Sequence, residues 1–251
     1  MSASAKPFTV PSSASANTQT HTQTVSGDVR PFIDPTGFVK IASQLPLLAD
    51  MLAQATDSLN LPLTEAQLRT LLLYLDHLLL WNKAYNLTAI TDPVEALIKH
   101  VIDCLAIITH LPAGSLLDIG TGAGLPAVII AICQPERHCT ALDSNQKKIR
   151  FIKQISSELG LSNVTPIAAR IEAHEGQYAV VTSRAFASLI DFVAAAQPRL
   201  SDKGKLCAMK GKAPSADELQ ALENAWQIDT IKLEVPRLHD SRHLIELSLI
   251  H

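Results

Sequence analysis

Ser115 to Ile132 reads SLLDIGTGAGLPAVIIAI. An apolar run closes on an acid, Asp118, three alternating glycines follow at Gly120, Gly122 and Gly124, and a second apolar run opens with Pro126. That order predicts strand, tight loop, helix. Alternate glycines at such a crossing permit backbone conformations closed to other residues and remove the side chains that would keep a ligand off the main chain. The loop also falls where open α/β sheets bind ligands, beyond the carboxyl end of a strand.

The spacing narrows the ligand. A dinucleotide fingerprint needs glycine at the first, third and sixth positions, and counted from Gly120 the sixth is Leu125, so that pattern fails at its last member. The alternating form, with an acid two residues before the first glycine, resembles the signature of S-adenosylmethionine-dependent methyltransferases. Such a ligand carries an ammonium, which Asp118 suits. A second acid follows in HCTALDSNQKK, where a short apolar strand ends at Asp143, about 25 residues beyond Asp118. An acid roughly 20 residues after such a loop is where a ribose hydroxyl pair is held, because one carboxylate accepts both hydrogen bonds. Asp143 is therefore the expected ribose ligand; capping the helix that starts near Asn145 is the plainer role, and the two can coexist.

At 251 residues, with 47% hydrophobic and 18% charged residues, the chain suits one large domain or a domain with a small appendage. No apolar stretch reaches the roughly 18 residues of a membrane span, since LLLYLDHLLLW is interrupted by Asp76 and His77. Cys104, Cys133, Cys139 and Cys207 lie in apolar segments without a CxxC pair, which predicts buried thiols in a reducing compartment, the cytoplasm. A net charge of −3 gives no global attraction to nucleic acid, so such a partner must meet a local patch.

Residues 1–38 are rich in Ser, Thr, Ala and Pro and are expected to be a disordered tail. Residues 39–112 read as a helical subdomain. One amphipathic candidate covers 37–56. A stronger one has a capping box at Thr64 and Gln67 and an apolar stripe at Leu68, Leu71, Leu72, Leu75, Leu78 and Leu79. A third helix is capped by Asp92, Pro93 and Glu95 and runs to about Ile108. Between the last two, WNKAYNLTAITD offers aromatic rings, amides and Lys83, a composition suited to binding. Residues 113–251 alternate strand and helix, with strands near Val164, from Tyr178 to Thr182 and through LCAMKGK, a turn at DKGK, and a terminal hairpin turning at 239–242. The pattern predicts an α/β sheet, mainly parallel with an antiparallel edge. Basic residues gather at Lys147, Lys148, Arg150 and Lys153, and at Arg199, Lys203, Lys205, Lys210 and Lys212; they are either a solvated face or the seat of an anionic polymer.

Taken together, WNKAYNLTAI, KHVIDCL, LLDIGTGAGLP, LDSNQKKIRFI, ELGLSNV, ARIE, SRAFASL and AMKG, in this order from about Leu68 to the C-terminus, resemble the bacterial small-subunit rRNA methyltransferase G family, also called glucose-inhibited division protein B. The resemblance implies a Rossmann-like class I S-adenosylmethionine-dependent methyltransferase sheet and N7 methylation of one guanine, number 527, in the 530 loop of 16S rRNA. The partner is then the small ribosomal subunit, not a membrane, and the chain is expected to be a monomer. Carried over by position, the cofactor contacts are Gly120, Leu125, Ile171, Glu172 and Arg184; Asp143 matches the family's strand-end acid. Asn86, His100, Arg170 and Lys210 match polar positions around the substrate face, and Lys83 joins them. Arg184 and Arg170 are the candidates for aligning methyl donor and base. Two positions depart from the family's usual residues: Ala127 stands where a glycine is common, and Cys104 where a serine is. Read without the resemblance, the residues leave open a small-molecule methyltransferase, an NAD-dependent oxidoreductase and a cofactor-sensing RNA-binding module; the cofactor retained on purification and methyl transfer to 30S subunits separate them.

Overall fold

The computed structural model describes residues 33–184 and 186–250. Seven strands, β1 (Leu116–Ile119), β2 (Cys139–Asp143), β3 (Val164–Ala168), β4 (Tyr178–Ser183), β5 (Leu200–Lys210), β6 (Trp226–Leu233) and β7 (Arg242–Leu249), form one sheet in the order β3-β2-β1-β4-β5-β7-β6. The first five are parallel, and β7 is antiparallel to both β5 and β6. This is the expected Rossmann-like sheet, mainly parallel with an antiparallel edge. The chain runs outward from β1 to β3 and then restarts on the other side at β4, so the carboxyl ends of β1 and β4 flank the switch point where such sheets bind ligands. Pro166, which cannot donate to a ladder, sits in the edge strand β3.

Helices α1 (Leu45–Ser58), α2 (Glu65–Tyr85), α5 (Ala127–Cys133) and α6 (Gln146–Glu158) share one apolar core with β1, β2 and β3. All six leucines of the α2 stripe are buried in it. The expected capping box is present, with Thr64 Oγ1 accepting from the Gln67 amide at 3.2 Å and Gln67 Oε1 accepting from the Thr64 amide at 2.9 Å. Gln67 also uses its amide nitrogen, donating to the carbonyls of Ile132 and Cys133 at the end of α5. Helix α7 (Leu189–Ala196) packs with β4, β5 and β7 in a second cluster on the other face.

Several boundaries differ from the sequence expectation. The tail falls outside the described residues over 1–32, but 33–38 are ordered against the helices, with Ile33 and Phe38 buried. The first helix begins at Leu45, after a 3-10 turn, because the preceding backbone is taken by another partner: buried Asp76 accepts the amides of Val39, Lys40 and Ile41. The expected third helix is α3 (Pro93–Ala96), a π turn over Leu97–Ile102, and α4 (Asp103–Leu105). DKGK is no turn. Leu200 pairs with Tyr178 and Lys205 with Val180, so the extra residues bulge within a continuous β5, with Lys203 at φ 59°. A short helix, α8 (Ala216–Leu222), lies outside the elements the pattern predicts, although it has its own capping box at Ser215 and Glu218.

Candidate active site

The glycine loop is fastened at its start by the amides of Gly120 and Thr121, which both donate to the Leu142 carbonyl at the end of β2, at 2.8 and 3.0 Å. Its far side turns back on itself, the amides of Gly124 and Leu125 donating to Thr121 O. Gly122 and Gly124 have φ of 62° and 94°. At Gly124 a Cβ would run into Val128, whereas at Gly122 it would meet nothing within 4 Å. Gly124 is therefore required by packing and Gly122 by conformation, and the outer side of Gly122 is open to a ligand.

Two carboxylates serve this loop from opposite sides. Asp118 is fully buried beneath it. Its Oδ2 accepts from Thr121 Oγ1 at 2.6 Å and from the Ala127 amide at 3.2 Å, while Oδ1 has no hydrogen-bond partner among the described residues. Burial pushes its pKa up to about 7, against the pull of those donors. Ala127 fits without displacing anything: it is buried, and its amide completes the Asp118 contacts. Asp143 lies beside the loop. Its Oδ2 accepts from the Gly122 amide at 3.0 Å and its Oδ1 from the Asn145 amide at 2.8 Å. The capping role belongs to Asn145, whose side chain accepts the amides of Lys147 and Lys148. A carboxylate has about four lone-pair sites, so Asp143 keeps capacity for hydroxyl donors. An uncovered glycine backbone next to such a carboxylate can receive a ligand that presents a hydroxyl pair.

The opposite wall comes from β4 and from the π turn. π turns are frequent at functional sites because they present groups a regular helix would space differently. Arg184, just past β4, turns toward this turn, and its Nη1 donates to Lys99 O and to Asp103 Oδ2, both at 3.2 Å. Asp103 Oδ1 accepts from Arg242 Nε at 2.9 Å, so one buried carboxylate joins two guanidiniums, one just past β4 and one at the start of β7. Burial works against the charge of Arg184, but Cys104 and Asp103 outweigh it and hold its pKa above the usual value. His100 Nε2 lies 2.7 Å from Thr88 Oγ1. Burial, and then the charge of Arg184, push its pKa down to about 4, so the ring is neutral near pH 7. A pocket of 230 Å³ is enclosed by Thr88, His100, Gly120, Gly122, Leu125 and Arg184. Arg184 also lines a second pocket, of 360 Å³, with Lys99, Asp103, Lys210 and Arg242.

Gly120, Gly122, Leu125, His100 and Arg184 are thus brought together, with Asp143 bonded to the loop and Gly124 packed behind it. Lys210 stands at the carboxyl end of β5 and donates to the carbonyls of Phe186 and Ala187. Arg170 is not brought to Arg184. It is exposed beyond β3, three strand spacings from β4 across β2 and β1, or roughly 14 Å. Ile171 is half-buried and Glu172 exposed, both in a 3-10 turn at that same edge. WNKAYN also divides. Helix α2 continues to Tyr85, so the tilted rings of Trp81 and Tyr85 meet each other and Trp81 meets Phe151 of α6; the rings pack against the core. Asn82 holds the loop by a reciprocal pair with Thr88 backbone, both bonds 2.9 Å. Asn86 is the left-handed C-cap of α2, a conformation asparagine tolerates, and only Lys83, Ala84 and Asn86 of that stretch are exposed. The second basic cluster is split as well: because β5 is continuous, Lys205 lies five residues, roughly 16 Å, from Lys210 and pairs with Glu246.

Three contributors were missed. Tyr74 on α2 donates from its hydroxyl to Ala123 O at 2.9 Å, tying the glycine loop to the helical layer. Asp103 and Arg242 complete the Arg184 wall. An acid three residues after His100 was visible; nothing local marked its partners.

Residues 67–245 match the family rRNA small subunit methyltransferase G. The chain belongs to that family. It is similar to a protein named ribosomal RNA small subunit methyltransferase G from Psychrobacter cryohalolentis, 82% identical over 216 residues, which cover 86% of this chain and 91% of that one. A protein of the same name from Acinetobacter baumannii is 52% identical over 79% of this chain and 97% of its own length. A ribosomal protein L11 methylase structure from Lactobacillus delbrueckii subsp. bulgaricus aligns at a TM-score of 0.47 and 18% identity, over 59% of this chain and 77% of that one. Within the family to which this chain belongs, the open glycine loop and the Arg184 wall are the parts that remain to be given roles.

Proposed function

We propose that this protein methylates N7 of guanine 527 in the 530 loop of 16S rRNA, in the cytoplasm, using S-adenosylmethionine. The observation that carries the reading is the pairing, across one 230 Å³ pocket, of an uncovered glycine backbone and a half-buried, charged Arg184. Gly120, Gly122, Leu125 and Asp143 would hold the cofactor, with Ile171 and Glu172 closing its far end; Asp118, expected at the ammonium, is fully buried and instead would shape the loop from beneath through Thr121 and Ala127. Bound there, the cofactor offers a methyl group on a sulfonium, which a lone pair can take without losing a proton. The segment 39–112 forms the substrate-side wall over the sheet domain 113–251, with Lys83, Asn86, His100 and Lys210 facing the RNA.

Guanine N7 presents a lone pair and no proton, so the site needs alignment and no general base. Holding two reactants in near-attack geometry contributes roughly 7 to 11 kcal/mol. The residues agree with that demand: His100, the one imidazole in the pocket lining, is neutral and half of its hydrogen bonding is spent on Thr88. Arg184 is a two-donor group of the kind that reads the N7 and O6 acceptors of guanine, and Asp103 fixes its direction. Arg170, exposed at the β3 edge, would serve a phosphate rather than the same base. The test is to map N7-methylguanine in 16S rRNA from cells with and without this gene: the modification should disappear at one position, and its persistence would overturn the reading.

A further inference from the structure

A wider cavity, of 670 Å³, adjoins the pocket over the glycine loop and shares Thr88 with it. Its polar lining is Lys40, Asn82, Lys83, Asn86, Thr88 and Thr91, without a carboxylate. Lys40 lies upstream of the family match, which begins at residue 67. It reaches the cavity because the strap before α1 is bound down along its length. Asp76 takes three consecutive amides, those of Val39, Lys40 and Ile41, at 2.6 to 3.1 Å. Arg69 donates to Thr36 O at 2.6 Å and lies over the Phe38 ring, and Ile33, Phe38 and Ile41 are buried.

The strap thus holds one lysine against another. Neither Lys40 nor Lys83 has an ion-pair partner among the described residues, and the ammonium of Lys83 beside Lys40 lowers the latter's pKa. Two like charges side by side above a cavity of amides and hydroxyls repel each other until an anion lies between them. Single exposed lysines are normally only solvated; these two are brought together from segments 43 residues apart by a buried carboxylate that serves no other described donor. A volume of this size is within the range of small-molecule sites, about 300 to 1,000 Å³, and the shared Thr88 places it next to the reacting pocket.

We propose that this cavity holds a phosphodiester of the RNA strand flanking the target base, clasped by Lys40 and Lys83, with Asp76 as the positioning residue that keeps Lys40 there through the strap. The inference rests on the rRNA methylation reading and adds a backbone subsite to it.

The test uses the full chain and 30S subunits. Wild type, Lys40→Met, Lys83→Met, the double variant and Lys40→Arg are compared for cofactor affinity, KM and kcat over a range of salt. One phosphodiester shared by two lysines counts as about one neutralised phosphate, so the double variant should lower the salt slope of RNA binding by about 0.7, and each single variant by part of that. KM for subunits should rise at least about threefold per lysine, cofactor affinity should hold, and Lys40→Arg should restore both KM and slope. Asp76→Asn, if it folds by circular dichroism, should reproduce the Lys40→Met slope. A double variant with wild-type KM and slope overturns the subsite while leaving the methylation reading intact. A fall confined to kcat also overturns it, by moving the lysines to the reacting centre. A wild type that methylates no rRNA removes the reading and the subsite together.

Discussion

On the β2 side of the pocket the glycine loop is held by its own backbone and by Asp143, which reaches Gly122 across 21 residues. On the β4 side Arg184 meets Asp103 across 81 residues, and Asp103 meets Arg242 across 139. The first wall forms wherever β1 and β2 lie side by side, since most of its bonds are main-chain bonds of adjacent strands. The second exists only when the π turn, the end of β4 and the start of β7 have all docked. Damage to the two walls should therefore look different: local loss of cofactor affinity on one side, loss of alignment on the other.

Arg184→Ala should have the largest effect. A misplacement of about 1 Å at a reacting centre can cost 10²-fold, and removal of the guanidinium leaves the pocket's β4 wall without its charge. Single-turnover methyl transfer should fall at least about 100-fold. If it falls less than tenfold, the β4 wall does not align the reactants and the contrast between the walls loses its functional meaning.

Asp118→Asn probes the floor common to both. The carboxyl of Asp118, at about 7 in the folded state, lies far above its ordinary value of 3.8. The folded protein therefore holds a proton that the unfolded chain releases; this contribution is complete below about pH 4 and is lost as pH rises through 7. The wild-type unfolding free energy should drop relative to Asp118→Asn by roughly 2 to 3 kcal/mol between pH 5 and 8. Urea titrations giving parallel pH profiles for the two proteins would show that Asp118 is ionised throughout.

Asp143→Ala should raise the dissociation constant for S-adenosylmethionine at least about tenfold, because each charge-assisted bond to the ribose is worth about 1.5 to 3 kcal/mol. Methyl transfer at saturating cofactor should suffer much less, which is the signature of the β2 wall. Unchanged affinity by calorimetry would remove Asp143 from the cofactor. His100→Gln should matter least. With a pKa near 4 the ring gains no proton between pH 6.5 and 9, so the chemical step should stay within about tenfold of wild type. A bell-shaped profile abolished by this substitution would make His100 a base and move the reading away from guanine N7.

The same contrast explains what the sequence disclosed. The strand, loop and helix around Gly122, the acid at Asp143 and the Thr64 cap were all legible, because each is a pattern within a few residues or across one strand-helix unit. The SRAFASL resemblance points to Arg184, but nothing local joins Asp103 and Arg242 to it, since pairings over 81 and 139 residues leave no local trace. DKGK has the composition of a turn, and the fold used that composition for a bulge: Gly204 lies so close to Leu200 and to Ala179 O that a side chain there would collide. Trp81 and Tyr85 suggested a binding surface by type, yet four residues apart on a continuing helix they fall on the side that meets Phe151. The basic run around β5 was one cluster in sequence and is two in space.

The Tyr74 hydroxyl, bonded to Ala123 O in the middle of the glycine loop, should couple opening of the loop to opening of α2. A ligand that binds only the folded loop stabilises it by about 2.7 kcal/mol at one hundred times its dissociation constant, and through Tyr74 that protection extends to a helix outside the cofactor pocket. Backbone amides near the middle of α2 should exchange with deuterium more slowly when S-adenosylmethionine is present, and Tyr74→Phe should return their exchange toward the ligand-free rate while protection of the loop itself persists.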